Sequence, residues 1–134
     1  MFECLILGDS IAVGTARYRP ECAIYAESGL NSSQWNKAYL NKDISAKVVL
    51  ISLGTNDYSG VKTRVELEKM RTKLGSARVY WIMPAIKLDV QTIVKEIANA
   101  NGDNIIFIRS LQPDQIHPTW IGYKDIAGAT KLEY

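Results

Sequence analysis

The chain has 134 residues, 47% of them apolar and 22% charged, with a formal net charge of +2 at neutral pH. That length supports one buried core and no second one, so residues 1–134 are read as a single domain of ordinary globular composition. The near-neutral balance, with no basic run interleaved with aromatics, gives no argument for a nucleic-acid partner. At the N-terminus there is neither a basic segment followed by a long apolar stretch nor a run long enough to span a membrane. The expectation is a protein without membrane insertion, cytoplasmic by default or delivered by another route. Its economy of length would also suit a virus-encoded protein, and its oligomeric state is left open. A single histidine rules out a multi-histidine metal site. Cys4 and Cys22 lack metal-ligand spacing and are read as two buried, small apolar side chains.

In chain order, apolar and β-branched-rich runs fall at residues 2–7, 23–26, 47–53, 78–83 and 104–108, and each reads as a strand. Between and after them, residues 11–18, 32–40, 62–74, 88–100 and 119–132 carry helical spacing. Continuous apolar strands alternating with amphipathic helices predict a three-layer α/β/α domain around a five-stranded parallel sheet. A flavodoxin-like strand order of 2-1-3-4-5 is the expectation. In such a sheet, ligands bind beyond the carboxyl ends of the strands. Polar, glycine-flanked clusters stand at those places: Gly8-Asp9-Ser10, Glu27-Ser28-Gly29-Leu30, Gly54-Thr55-Asn56-Asp57 and Pro113 to Pro118.

The first cluster ends an apolar run and opens a helix, which puts the Ser10 hydroxyl at the mouth of the sheet and its N–H where an anion is favoured. Serine needs an adjacent base to act as a nucleophile, and the base needs a group that fixes its tautomer. His117 is the one imidazole, and Asp114 lies three residues before it in the same loop. Ser10, His117 and Asp114 would then form a triad. Each also has a plainer reading: a helix cap for Ser10, a loop histidine for His117 and a turn residue after Pro113 for Asp114. An oxyanion would need fixed donors, for which the Ser10 N–H, the Gly29 N–H and the Asn56 side-chain amide are candidates; Asn56 reads equally as a turn or cap residue.

These four blocks resemble, in order and position, the signature blocks of the SGNH, or GDSL-like, hydrolases. The resemblance spans nearly the whole chain. It implies Ser10 as nucleophile, His117 as base, Asp114 as its partner, and an oxyanion hole made of Ser10, Gly29 and Asn56. It also implies an esterase, lipase, thioesterase or carbohydrate O-deacetylase that uses no cofactor and no metal. Ile11 departs from the usual leucine after Gly-Asp-Ser, at a position that packs rather than reacts. The chain is shorter than is typical of the family, and the connection after Met83-Pro84 is too short for a lid. An open, shallow site is therefore expected, suited to a short acyl group on a bulky alcohol such as an O-acetylated glycan. Longer acyl chains, as for a lysophospholipase or thioesterase, are the alternative. From another class, so is a glycan-binding module with little turnover. A nucleotide-binding flavodoxin-like protein would need a phosphate loop or a G-x-G-x-x-G turn, and neither is present.

Among the remaining residues, Tyr58 is placed at the rim of the site as a substrate contact. Asp9 is a second candidate contact, although capping also accounts for it, as loop hydrogen bonding does for Asp57. Trp81 reads as core, and Trp120 as packing the last helix down to hold the histidine loop. Trp35 is left open. Asn31-Ser32-Ser33 matches a glycosylation acceptor pattern with no secretory signal to support it, and the mixed charges of residues 62–71 read as a solvated helix face.

Overall fold

The computed structural model describes residues 1–130. Its elements are β1 (Phe2–Gly8), α1 (Ser10–Ala16), β2 (Ala23–Ala26), α2 (Ser32–Tyr39), β3 (Ala46–Ser52), α3 (Thr63–Leu74), β4 (Arg78–Ile82), α4 (Leu88–Asn101), β5 (Asn104–Ile106) and α5 (Trp120–Ala129). The strands form one parallel sheet in the order β2-β1-β3-β4-β5, which is the order expected. Strand and helix ends differ from expectation by a few residues. Both α1, which stops at Ala16, and β5, which stops at Ile106, end two residues early. That part of the expected last helix beyond residue 130 lies outside the described residues.

Side chains alternate across each strand, so one strand feeds two cores. Leu5, Leu7, Val49, Ile51, Val79 and Trp81 point to one face and meet α2, α3 and α4 through Trp35, Leu67, Met70 and Val94. Cys4, Ile6, Val48, Leu50, Tyr80 and Ile82 point to the other and meet α1 and α5 through Ile11, Ala12, Ala16 and Ile126. With both faces covered, the sheet's central strands must be apolar throughout, and this is why their runs are continuous rather than alternating.

The cysteine expectation is corrected. Both side chains are buried, at 4% and 7% exposure, but they are joined as a disulfide with their Cα atoms 4.8 Å apart. The cause is strand register: β1 and β2 are neighbours with Leu5 opposite Ala23, which sets Cys4 opposite Cys22.

Candidate active site

Gly8 ends β1 with φ +139°, and a Cβ there would lie 1.8 Å from the Ser52 carbonyl oxygen of β3. Only glycine lets the two strands meet so closely at this turn. The chain then enters α1 through Asp9, the helix N-cap. The Asp9 backbone N–H donates to the Ser52 carbonyl at 3.0 Å. Its Oδ1 accepts from the Ile11 N–H at 3.0 Å and from Ser52 Oγ at 2.9 Å. These bonds clamp the turn so that the next residue, Ser10, emerges at the carboxyl end of the sheet.

Ser10 Oγ lies 2.9 Å from His117 Nε2, and His117 Nδ1 lies 2.7 Å from Asp114 Oδ2. The other carboxylate oxygen of Asp114 accepts from the backbone N–H groups of Ile116, at 2.9 Å, and His117, at 3.0 Å. First the Ile116 N–H, then the His117 ring and backbone, hold the Asp114 carboxyl down at about 2. An anionic Asp114 only accepts, so Nδ1 carries the ring proton and Nε2 is left to accept the Ser10 hydroxyl proton.

The histidine loop is braced independently of Asp114. Gln112 donates from its backbone N–H to the His117 carbonyl and from Nε2 to the Pro118 carbonyl, both at 2.8 Å. Leu111 and Pro118 form an antiparallel bridge. The Thr119 N–H donates to the Ser110 carbonyl at 3.0 Å, and the hydroxyls of these two residues are 2.6 Å apart. Sequence reading missed Gln112. Its place between Leu111 and Pro113, just ahead of the histidine block, was the available signal.

Gly29 and Asn56 follow β2 and β3, the two strands that flank β1. Asn56 Nδ2 donates to the Leu30 carbonyl at 3.0 Å, tying the Asn56 turn to the Gly29 turn while leaving a second N–H on the same nitrogen. Gly29 is exposed and has φ +86°. Among the described residues, neither the Ser10 N–H nor the Gly29 N–H donates to a protein acceptor, and no hydrogen bond joins Gly29 or Asn56 to Ser10.

Two expectations fail at the rim. Asp9 is fully buried and faces Ser52 and the helix N-terminus, so it makes no substrate contact. Its burial pushes the carboxyl up to about 6, against the lowering effect of the Ser52 hydroxyl and the Ile11 N–H, and its Oδ2 has no partner. Trp120 does not pack α5 down. It is 64% exposed, with the Lys124 ammonium 5.9 Å from its ring centroid, because Gly122, Ile126 and Ala127 occupy the buried face of that helix. Elsewhere Trp81 and Trp35 lie in the core. Asp57 is buried and accepts from the Ser32 N–H, Ser32 Oγ and Thr63 Oγ1, joining the starts of α2 and α3. Tyr58 is 66% exposed.

Neither protein-family models nor curated proteins match this sequence. Solved structures do share its fold. A protein assigned as an acylhydrolase from Bacteroides fragilis aligns with TM-score 0.66 and 19% identity, over 93% of this chain and 82% of its own. A member of the lipolytic G-D-S-L family from Veillonella parvula aligns with TM-score 0.67 and 16% identity over 93% of both chains. The C-terminal catalytic domain of peptidoglycan O-acetyltransferase A from Streptococcus pneumoniae, solved with a methylsulfonyl adduct, aligns with TM-score 0.62 and 18% identity, over 95% of this chain and 90% of its own. The chain thus has the SGNH/GDSL hydrolase-like fold.

Proposed function

We propose that this chain is a serine esterase that cleaves carboxylic esters through an acyl-enzyme, with O-acetylated carbohydrate as its substrate. The carrying observation is the relay from Ser10 through His117 to Asp114, two hydrogen bonds of 2.9 and 2.7 Å. Ser10 Oγ attacks the ester carbonyl carbon as its proton passes to His117 Nε2, and a tetrahedral oxyanion forms. Collapse breaks the bond to the alcohol, which leaves with that proton. Water, deprotonated by the same nitrogen, then attacks the acyl-enzyme, releasing the acid and restoring Ser10. Asp114 remains an anion and holds the tautomer. The Ser10 N–H, Gly29 N–H and Asn56 amide are assigned to the oxyanion.

The short-acyl assignment rests on openness: the side chains of His117 and Asp114 keep 35% and 42% of their surface exposed. A second reading is acyl transfer, in which a sugar hydroxyl instead of water discharges the same acyl-enzyme; the O-acetyltransferase neighbour favours it. A glycan-binding module has no chemical need for the full relay. The Cys4–Cys22 disulfide suits an oxidising compartment, where an enzyme of extracellular glycans would work.

The test is p-nitrophenyl acetate hydrolysis by the purified protein and by Ser10→Ala at equal concentration, with and without an acceptor saccharide. Turnover reduced by the substitution to the uncatalysed background supports the esterase. Equal rates for the two proteins overturn it, and acetylated acceptor among the products selects transfer.

A further inference from the structure

Beside the candidate oxyanion residues lies a cleft of about 420 Å³ between α2 and the turn that leads into α3. It begins where the oxyanion segments end: Asn31 in its wall follows Leu30, the acceptor of the Asn56 amide, and Tyr58 lies two residues past Asn56. Tyr58 also lines a second cleft of about 430 Å³ towards Lys87, so its exposed ring stands as a partition between the two. The Val61 N–H donates to the Tyr58 carbonyl at 2.8 Å, closing the turn, and a Cβ at Gly60 would lie 2.7 Å from the ring.

The lining has two chemistries side by side. Tyr58 and Val65, 66% and 54% exposed, offer apolar surface of the kind that covers the C–H face of a sugar ring. Lys37 and Lys62 bring two ammonium groups that, among the described residues, form no ion pair or hydrogen bond. The acidic side chain in the cleft, Glu66, is engaged by Lys69 at 3.3 Å. Gln34 Oε1 is taken by the Asn31 N–H in the α2 capping box, which leaves the Gln34 amide N–H groups to donate. The cleft thus offers cationic and neutral donors around an aromatic partition.

We infer that this cleft is the subsite for the sugar part of the substrate and that it takes a carboxylate-bearing saccharide. The proposal depends on the esterase reading only for what happens at Ser10; saccharide recognition by the cleft is separable from it. Exposed charge contacts are individually weak and screened by salt, so the preference for an acidic sugar is modest and falls as ionic strength rises.

The experiment is a set of calorimetric or NMR titrations of the wild-type protein at low salt with two matched pairs of probes, trigalacturonate against galactotriose and aldotriouronic acid against xylotriose. Each acidic member is expected to bind about fivefold more tightly than its neutral counterpart. In the Lys37→Gln/Lys62→Gln double variant that preference disappears while neutral binding persists. Tyr58→Ala weakens both members of a pair. Thermal unfolding of each variant checks its fold, and these exposed side chains are expected to leave it unchanged. Equal affinity for acidic and neutral probes in the wild type, or a preference that survives in the double variant, overturns the proposal. Loss of the esterase reading would look different: p-nitrophenyl acetate turnover would survive Ser10→Ala while the acidic preference remained.

Discussion

Asp114 and Asp9 have opposite surroundings, and their chemistry diverges accordingly. Asp114 lies in an exposed loop where two backbone N–H groups and the histidine ring favour the anion, so its carboxyl drops to about 2. An amide at this position keeps an acceptor for the backbone but loses the charge that selects the Nδ1–H tautomer. Asp114→Asn is expected to reduce kcat for p-nitrophenyl acetate by a factor on the order of 10³ to 10⁴ with the protein still folded; a loss below tenfold would remove Asp114 from the relay. Asp9 is the reverse case, a fully buried carboxyl raised from 3.8 to about 6 by loss of solvent. Between those two values the native state keeps a proton that the unfolded state has released, so stability falls as pH rises through the window. The total is on the order of 3 kcal/mol. Asp114, with its depressed carboxyl, adds stability as pH rises, but below that window. Urea unfolding at intervals from pH 4 to 7 should show the decline in the wild type and its flattening in Asp9→Asn, whose side chain does not titrate.

At the scale of elements, β1 sets the site. Its register with β3 brings Gly8 against Ser52, and its register with β2 brings Cys4 against Cys22. The disulfide closes a sequence separation of 18 residues that includes all of α1. A crosslink of that span constrains the unfolded chain by about 3 kcal/mol in the chain-entropy model. Reduction with dithiothreitol is therefore expected to lower Tm by roughly 10 °C, and a shift under 2 °C would mean that the unfolded chain gains little freedom when the bond opens. The strand runs were legible because burial on both faces leaves a local mark, an unbroken apolar sequence. The crosslink was not, since it depends on which residues of two separate strands stand opposite each other.

At the scale of the whole molecule, the β4–α4 connection adds no cover over the mouth of the sheet. Residues 83–87 join β4 to α4, leaving no length for a lid. An apolar groove of about 530 Å³, with Leu88, Phe107 and Leu111 in its lining, runs along α4 as far as Asn99 in that helix's last turn, and neither Ser10 nor His117 lines it. Across p-nitrophenyl esters of increasing chain length, kcat/KM is expected to peak at acetate to butyrate. A maximum at octanoate or beyond would assign the acyl chain to this groove and displace the acetylesterase reading. Among the described residues, no helix is long and apolar enough to cross a membrane.

The sequence by itself determined the alternation of strands and helices, the parallel sheet, and the four polar clusters at the strand ends, because unbroken apolar runs, a helical spacing of 3.6 residues and glycine turns are local properties of the chain. The meeting of Ser10, His117 and Asp114 was legible for a related reason: a hydroxyl proposed as nucleophile needs a base, and the chain holds a single imidazole. Tertiary structure alone decided the remainder. The rotation of α5 turned Trp120 outward, the clamp from Ser52 buried Asp9 beneath the serine it precedes, strand register joined Cys4 to Cys22, and the packing of α2 beside the Tyr58 turn opened a cationic cleft. Each of these depends on how distant elements are aligned and rotated against one another, a relation set by packing of the two cores and carried by no single segment.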